Sequence, residues 1–223
     1  MKDTVIMLLT STLLGYLLGS VSPSALIARW KRSDLRSRNT GNLGATNTML
    51  TFGLRWGLVV LILDMVKAIL AVTVAVRLFP LAPAAGLVAG CAAVYGHVFP
   101  FYLGFRGGKG LAPFLGVMLA FDPLIFITLL LLGTVLALIV NYTAAMPMTV
   151  APLFPVAVWV RTANISCLLA AMTVSLLVIV KHWGNLMKAA RHEDRQVREY
   201  MAKHWFHLGE GDGKAAETEE KHR

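Results

Sequence analysis

The sequence predicts an all-α integral membrane protein of about seven transmembrane helices, some short or re-entrant, with its motif-bearing loops on one face. Three observations predict this class. Hydrophobic residues fill 57% of the 223 positions and charged residues 15%, with a mean hydropathy of +0.65, a balance rare in water-soluble domains of this size. Between Lys109 and Arg161 the only charged side chain is Asp122, and so long a charge-poor run exceeds what the core of a small domain can hold. Glycines, prolines, asparagines and basic clusters interrupt the apolar sequence at intervals that cut it into helix-length pieces.

The first apolar segment, 5–28, is too long for a signal-peptide core and lacks a small-residue cleavage site, so it is expected to remain as an anchor. Further segments follow at 56–78, 80–95, 111–121, 123–140, 146–160 and 165–180. Several are shorter than the roughly 20 residues that cross a bilayer upright. The shortest, 111–121, is expected to be re-entrant or half-length, so the count is seven spans, or five with two re-entrant pieces. Asp64 and Lys67 lie three apart on the second span and are expected to pair on one face, which lowers the cost of burying each. Cys91 and Cys167 fall in separate spans and read as small apolar packing residues, with neither a disulfide nor a metal site expected.

Orientation follows from the basic residues, which accumulate on the cytoplasmic side. With the N-terminus outside and the C-terminus inside, 17 of the 21 lysines and arginines face the cytoplasm, and every glycine-rich polar segment gathers there too. The expected location is the plasma membrane, as a multi-pass protein. The net charge of +9 is juxtamembrane and carries no nucleic-acid-binding pattern, so anionic headgroups and phosphorylated ligands are the expected partners. After the last span, Val197, Met201, Trp205 and Leu208 recur at helical spacing among basic residues, as in a helix lying on the membrane. Residues 1–208 are therefore read as one membrane-embedded domain with a C-terminal interfacial helix, and 209–223 as a disordered polar tail.

Three polar segments carry candidate chemistry. Residues 19–47 read GSVSPSALIARWKRSDLRSRNTGNLGATN and concentrate anion-binding capacity in Arg36, Thr40, Asn42, Thr46 and Asn47 around Gly41 and Gly44, while Arg29, Lys31 and Arg32 read as anchors. Residues 96–110 read GHVFPFYLGFRGGKG; glycines at 107, 108 and 110 allow successive backbone N–H groups to turn toward one anion, and Arg106 and Lys109 add full charge. This is not a nucleotide-binding loop: its first glycine is one place out of register, and Leu111 stands where a Mg-ligating hydroxyl would be. His97 is read first as a hydrogen-bonded residue positioning the loop and second as a ligand contact. In the third segment His182 and Asn185, three apart, share one helical face. His207 and Asp212 match a His-x4-Asp spacing used by acyl-CoA-dependent acyltransferases, but they straddle a glycine-rich tail, and the match is taken as coincidence.

Together, GSVSP with TGNLGATN, then GHVFPFYLGFRGGKG, then KHWGN followed by Glu193 and Asp194 resemble the bacterial acyl-phosphate-dependent glycerol-3-phosphate acyltransferases, in order, from Gly19 to Asp194. The resemblance implies transfer of an acyl group from acyl phosphate to the 1-hydroxyl of sn-glycerol 3-phosphate, giving 1-acylglycerol 3-phosphate (lysophosphatidate) and phosphate in phospholipid synthesis. It implies a catalytic set of His182, Asn185, Thr40 and Lys109. It implies substrate and phosphate contacts from Arg36, Gly41, Asn42, Gly44, Thr46, Asn47, His97, Arg106, Gly107, Gly108 and Gly110. Three positions depart from the family pattern. Thr40 replaces a serine and keeps the hydroxyl, Asp194 replaces a glutamate with His192 altering the turn before it, and Leu50 replaces an arginine and keeps no charge. Arg55, a few residues on, is the candidate substitute cation.

No metal or cofactor is expected, because acidic side chains are scarce beside the three motifs. Partners are acyl phosphate, glycerol 3-phosphate and membrane lipids, and a monomer is allowed. Two alternatives stand beside the enzyme. The loss of charge at Leu50 allows an impaired family member that binds acyl phosphate or lysophosphatidate without turnover. A transporter of a phosphorylated solute would explain intramembrane glycines, but its polar groups should line both halves of the membrane, and the chain has no internal repeat.

Overall fold

Chain segments in hydrocarbon must pair every backbone N–H and C=O internally, so long apolar runs fold as helices. The computed structural model describes residues 2–191, and among them every regular element is helical. The order is α1 (Lys2–Ser20), α2 (Pro23–Trp30), α3 (Ala45–Phe52), α4 (Leu54–Leu78), α5 (Ala85–Val98), α6 (Leu111–Phe121), α7 (Pro123–Val140), α8 (Ala145–Thr162) and α9 (Ile165–Ala190). The expected interfacial helix, the acidic pair Glu193 and Asp194, and the tail lie outside the described residues.

Each expected apolar segment is a helix, with three differences. The first breaks between α1 and α2 at Val21, where Ser22 caps the new helix by accepting from the Ala25 N–H at 3.3 Å and Pro23 fills the first turn. The third starts later, at Ala85, because prolines at 80 and 83 keep the preceding residues in turns. The last continues ten residues past its apolar part, so α9 carries His182 and Asn185 on a continuous helix. Five segments among the described residues are long and apolar enough to cross a membrane, α1 and α2 together forming one of them. Helix α6 has 11 residues, about 16 Å at 1.5 Å per residue, against roughly 30 Å of hydrocarbon. Helix α8 has 18 residues but contains Pro152 and Pro155 and carries Arg161 in its last turn.

Small residues set how these helices stack. Gly15 of α1 sits against Ala89 of α5, and Gly19 against Ala93, so the two helices run parallel with their backbones in contact. This is small-xxx-small packing, which association in lipid favours because close approach maximises dispersion contacts and polar pairing. Gly86 and Gly90 of α5 take Val76 and Val72 of α4 in antiparallel register, and Gly116 of α6 lies on the Met65 carbonyl of α4. Gly133 of α7 receives Val150 and Met146 of α8, again antiparallel. The resulting core includes Val94, Phe114, Met118, Phe154 and Val174, with Phe114 and Phe154 edge to face at 5.2 Å. Large apolar side chains such as Leu13, Ile62, Leu131 and Leu176 point outward, as lipid-facing surfaces do.

The helices therefore alternate in direction and place residues 31–53, 99–110 and the end of α9 at one end of the bundle. At the other end Asp122 caps α7 by accepting from the N–H groups of Leu124 (2.9 Å) and Ile125 (3.2 Å), and pairs with Arg161 Nε at 2.9 Å. The Ile125 hydrogen bond, with help from Arg161 and Leu124, holds its carboxyl below the usual range.

A Cβ at Gly19 would overlap the Ala93 backbone, whereas one at Gly184 on α9 meets nothing within 4 Å. Gly19→Val should thus cost about 1–3 kcal/mol through overpacking, and Gly184→Ala should be neutral or stabilising by up to about 1 kcal/mol. Thermal unfolding in detergent checks this, and equal melting temperatures for the two variants would contradict the seam.

Candidate active site

The second polar segment folds back on the helix it leaves. After α5 the chain turns at Pro100, makes a 3-10 turn over Phe101–Leu103, and reverses through Gly104 and Phe105 with φ of 67° and 58°. Gly107 N–H then donates to Val98 O at 3.1 Å and Gly108 N–H to His97 O at 3.2 Å. These two N–H groups, expected from sequence to face an anion, are committed to the open carbonyls of α5. The glycines serve close packing instead: a Cβ at Gly107 would overlap the His97 carbonyl, and one at Gly108 would overlap the His97 ring and press on Leu43 O. Gly110, with φ of 89°, is the left-handed residue that starts α6 against Val94 and Val98.

Between them, half-buried Lys109 reaches α9, where its Nζ donates to Asn185 Oδ1 at 2.6 Å. One turn earlier His182 is buried, with Nδ1 2.8 Å from Val178 O. A carbonyl only accepts, so Nδ1 carries the proton and, in the neutral ring, Nε2 keeps the lone pair. Lys109, Asn185 and His182 thus occupy one place, where the second and third motifs meet.

The first polar loop is joined to the second by Arg36, whose Nη2 donates to Leu103 O at 2.9 Å and Arg106 O at 3.2 Å. Asn47 is 1% exposed and holds its own loop: Nδ2 donates to Leu35 O (2.6 Å) and Asn42 O (2.8 Å), and Oδ1 accepts from Thr40 N–H (3.2 Å). Asn42 Nδ2 donates to Thr40 O at 3.1 Å, and Gly41 supplies the positive φ of 68° that this tight loop needs. Gly44 caps α3 with no side chain over it, and Thr40, Thr46, Arg55 and Arg106 present exposed side chains. Arg55 lies in the first turn of α4 and Leu50 is half-buried on α3, with no hydrogen bond or ion pair of either side chain among the described residues. Lys31 lies over the rings of Trp56 (4.7 Å) and Trp30 (5.2 Å), an aromatic and cationic girdle at this end.

Sequence reasoning paired Asp64 with Lys67, and they meet at 2.7 Å. It missed that His97 joins them: its Nδ1 is 3.0 Å from Lys67 Nζ and 3.2 Å from Asp64 Oδ1. The available signal was a third ionisable residue inside apolar sequence. It also missed the tyrosine tethers, Tyr16 Oη to Phe99 O at 2.8 Å and Tyr102 Oη to Ser20 O at 2.9 Å, which pin the loop to α1.

The fold is that of a polytopic membrane protein, with a cationic, glycine-rich candidate site at one end of its bundle. The family model for glycerol-3-phosphate acyltransferase matches residues 9–192, and the chain belongs to that family. It is 38% identical over 192 residues to a glycerol-3-phosphate acyltransferase of Myxococcus xanthus, covering 82% of this chain and 96% of that protein. It is 36% identical over 178 residues to one of Agrobacterium fabrum, covering 79% and 84%. Among solved structures it is similar to PlsY (YgiH), an integral membrane glycerol 3-phosphate acyltransferase. The glycerol 3-phosphate form matches with a TM-score of 0.78 at 30% identity, covering 85% of this chain and 94% of that one. The lysophosphatidic acid form gives 0.76 at 28% identity.

Because Gly108 is closed in by a ring and a carbonyl, Gly108→Ala should push the loop off α5 and misplace Lys109. Loss of an aligned contact of this kind should lower kcat/KM for glycerol 3-phosphate by about tenfold or more, equivalent to 1.4 kcal/mol. Gly104→Ala should act differently, because open space surrounds Gly104 and its cost is backbone strain alone. Unchanged kinetics in a folded Gly108→Ala protein would remove the loop from the site.

Proposed function

We propose that this chain transfers an acyl group from acyl phosphate to the 1-hydroxyl of sn-glycerol 3-phosphate at the cytoplasmic face of the plasma membrane, releasing lysophosphatidate and phosphate. The observation that carries the reading is the Lys109 to Asn185 contact, which unites the glycine loop with the His182 helix at the cation-rich end of the bundle. The relatives' names specify glycerol 3-phosphate as acceptor. The motif resemblance supports acyl phosphate as donor, and the positive-inside bias supports a cytoplasmic site.

Acyl phosphate is a mixed anhydride with a good leaving group, so the acceptor hydroxyl can attack its carbonyl carbon directly. The new C–O ester bond forms, the bond to phosphate breaks, and the hydroxyl proton passes to His182 Nε2 or to a phosphate oxygen of the donor. No enzyme nucleophile is needed, and the sequence has no Gly-x-Ser-x-Gly elbow. Catalysis then comes from positioning and charge neutralisation. Lys109, with Thr40 and Arg106, is assigned to substrate phosphate, and His182 and Asn185 to orienting the acceptor. Arg36 and Asn47, engaged with backbone carbonyls, hold the loops in register. The acyl chain stays among the helices, entering sideways from the bilayer.

Purified protein in lipid vesicles, oriented with the motif end outward, should acylate added glycerol 3-phosphate from acyl phosphate and not from acyl-CoA. Transfer from acyl-CoA that disappears on deletion from Gly209 would reverse the donor assignment, and activity only when the opposite end faces the substrate would reverse the orientation.

Leu50 supports a second reading, a family member with weakened turnover. A charge-assisted hydrogen bond to phosphate is worth about 1.5–3 kcal/mol, so its absence weakens binding about tenfold to a hundredfold unless another cation serves. Arg55 is the assigned substitute. Arg55→Ala should raise the KM for glycerol 3-phosphate, and Leu50→Arg in that background should partly restore it. An inactive wild type rescued by Leu50→Arg alone would favour the weakened-enzyme reading.

A further inference from the structure

Pro23 has no N–H to bond back to the Gly19 carbonyl, and the helix that begins at Lys2 stops at Ser20. The break falls inside one membrane-length segment, Lys2–Trp30, where backbone groups released from a helix need partners from elsewhere in the protein. Three consecutive residues find them in side chains of other elements. Tyr102 Oη, from the 3-10 turn that opens the glycine loop, donates to Ser20 O at 2.9 Å and accepts from the Ser22 N–H at 3.1 Å. One phenol hydroxyl can do both, having one proton and free lone pairs. Between these residues, the Val21 carbonyl accepts from Lys67 Nζ of α4 at 2.7 Å.

Lys67 is 7% exposed and its partner Asp64 1%. Among the described residues Asp64 Oδ2 has no hydrogen-bond partner, so the ion pair is made through Oδ1 alone, at 2.7 Å. A buried pair so sparsely satisfied is a poor source of stability. Its ammonium does make one contact that an apolar side chain could not replace, the one to the break. The first loop is built outward from there. Ala25 and Ala28 of α2 pack with Leu35 and Leu43 of the first polar loop and with Leu103, the neighbour of Tyr102. The Leu103 carbonyl also accepts from Arg36 Nη2.

We infer that the GSVSP break is the seat on which the first and second polar segments are registered, and that Tyr102 and Lys67 are the positioning residues that hold it. Tyr102 closes the break from the side of the glycine loop, and Lys67 closes it from within the membrane. Asp64 keeps the lysine's charge balanced there. Neither positioning residue touches reacting atoms; both act through the backbone of residues 20–22, on which α2 and the loop after it depend. Their effect on catalysis rests on the acyltransferase site proposed above, whereas their hold on the break can be measured without turnover.

Double electron–electron resonance on the full chain in lipid measures that hold. Spin labels at Arg38→Cys, in the first loop, and Leu81→Cys, at the opposite end of the bundle, are placed in a background with Cys91 and Cys167 replaced by alanine. Tyr102→Phe removes only a hydroxyl, and Asp64→Asn with Lys67→Met removes both charges together, so no buried charge is left alone. Each should broaden the single distance peak of the parent protein. Tyr95→Phe is the control, because its hydroxyl donates to a helix carbonyl, Thr173 O, away from the break; it should leave the peak unchanged. Unlabelled Tyr102→Phe should raise the KM for glycerol 3-phosphate about fivefold, the worth of one neutral hydrogen bond, with kcat held within about twofold, and Tyr95→Phe should change neither. An unbroadened peak in Tyr102→Phe and in the Asp64 and Lys67 double variant would overturn the inference, and so would equal effects of Tyr102→Phe and Tyr95→Phe. Broadening with an unchanged KM would overturn the positioning role. Absence of turnover in the wild type would count against the acyltransferase reading, and the distance measurement would still decide whether the two residues hold the break.

Discussion

Close contact between backbones, with no Cβ between them, is the constraint on which the molecule's geometry depends. Gly15 and Gly19 let α1 lie on Ala89 and Ala93 of α5, and Gly96 lies on the Tyr16 carbonyl. In lipid, where burying apolar surface gives no net drive, such contacts gain dispersion energy and bring polar groups of neighbouring helices within reach. The gain here is specific. Tyr16 and Tyr102 reach across the seam to the Phe99 and Ser20 carbonyls, which fixes the end of α5 and the start of the loop that follows it. Gly107 and Gly108 repeat the device at smaller scale by seating the loop on the last carbonyls of the same helix.

Charge is arranged to complement that frame. Within the bundle Asp64 balances Lys67, so a strongly polar cluster is carried at low net charge. At the distal end Asp122 balances Arg161. At the motif end Arg106, Lys109 and Arg55 have few acidic neighbours among the described residues, which leaves a positive field for phosphate. Such a site suits the proposed reaction, in which one phosphorylated molecule is held in the membrane by its acyl chain and the other arrives from water. Its catalytic burden is orientation and neutralisation, which rigid helix ends and packed loops supply well.

Much of this was legible in the sequence. Apolar length and breaker positions located 111–121 and 123–140 to the residue, because Gly110 and Asp122 are strong local stops. The three motifs pointed to one site, and the second and third meet at the Lys109 to Asn185 hydrogen bond. What the sequence concealed was direction. It marked glycines beside cations but not which way their N–H groups turn, and at Gly107 and Gly108 these groups face the helix. It marked Arg36 and Asn47 as polar but not that both are bound to backbone carbonyls, which only the folded loops define. His97 joins residues 30 and 33 positions away, a separation at which helical periodicity carries no information.

The central claim is that the loop of Lys109 and the helix of Asn185 form one binding site for glycerol 3-phosphate. A double-mutant cycle of binding, by calorimetric titration of glycerol 3-phosphate into the wild type, Lys109→Met, Asn185→Ala and the double variant, measures it directly. Shared action predicts that each single variant weakens binding by about tenfold and that the double loses little more, a coupling of at least about 1 kcal/mol. Independent, additive losses, or wild-type affinity in Lys109→Met, would contradict the account.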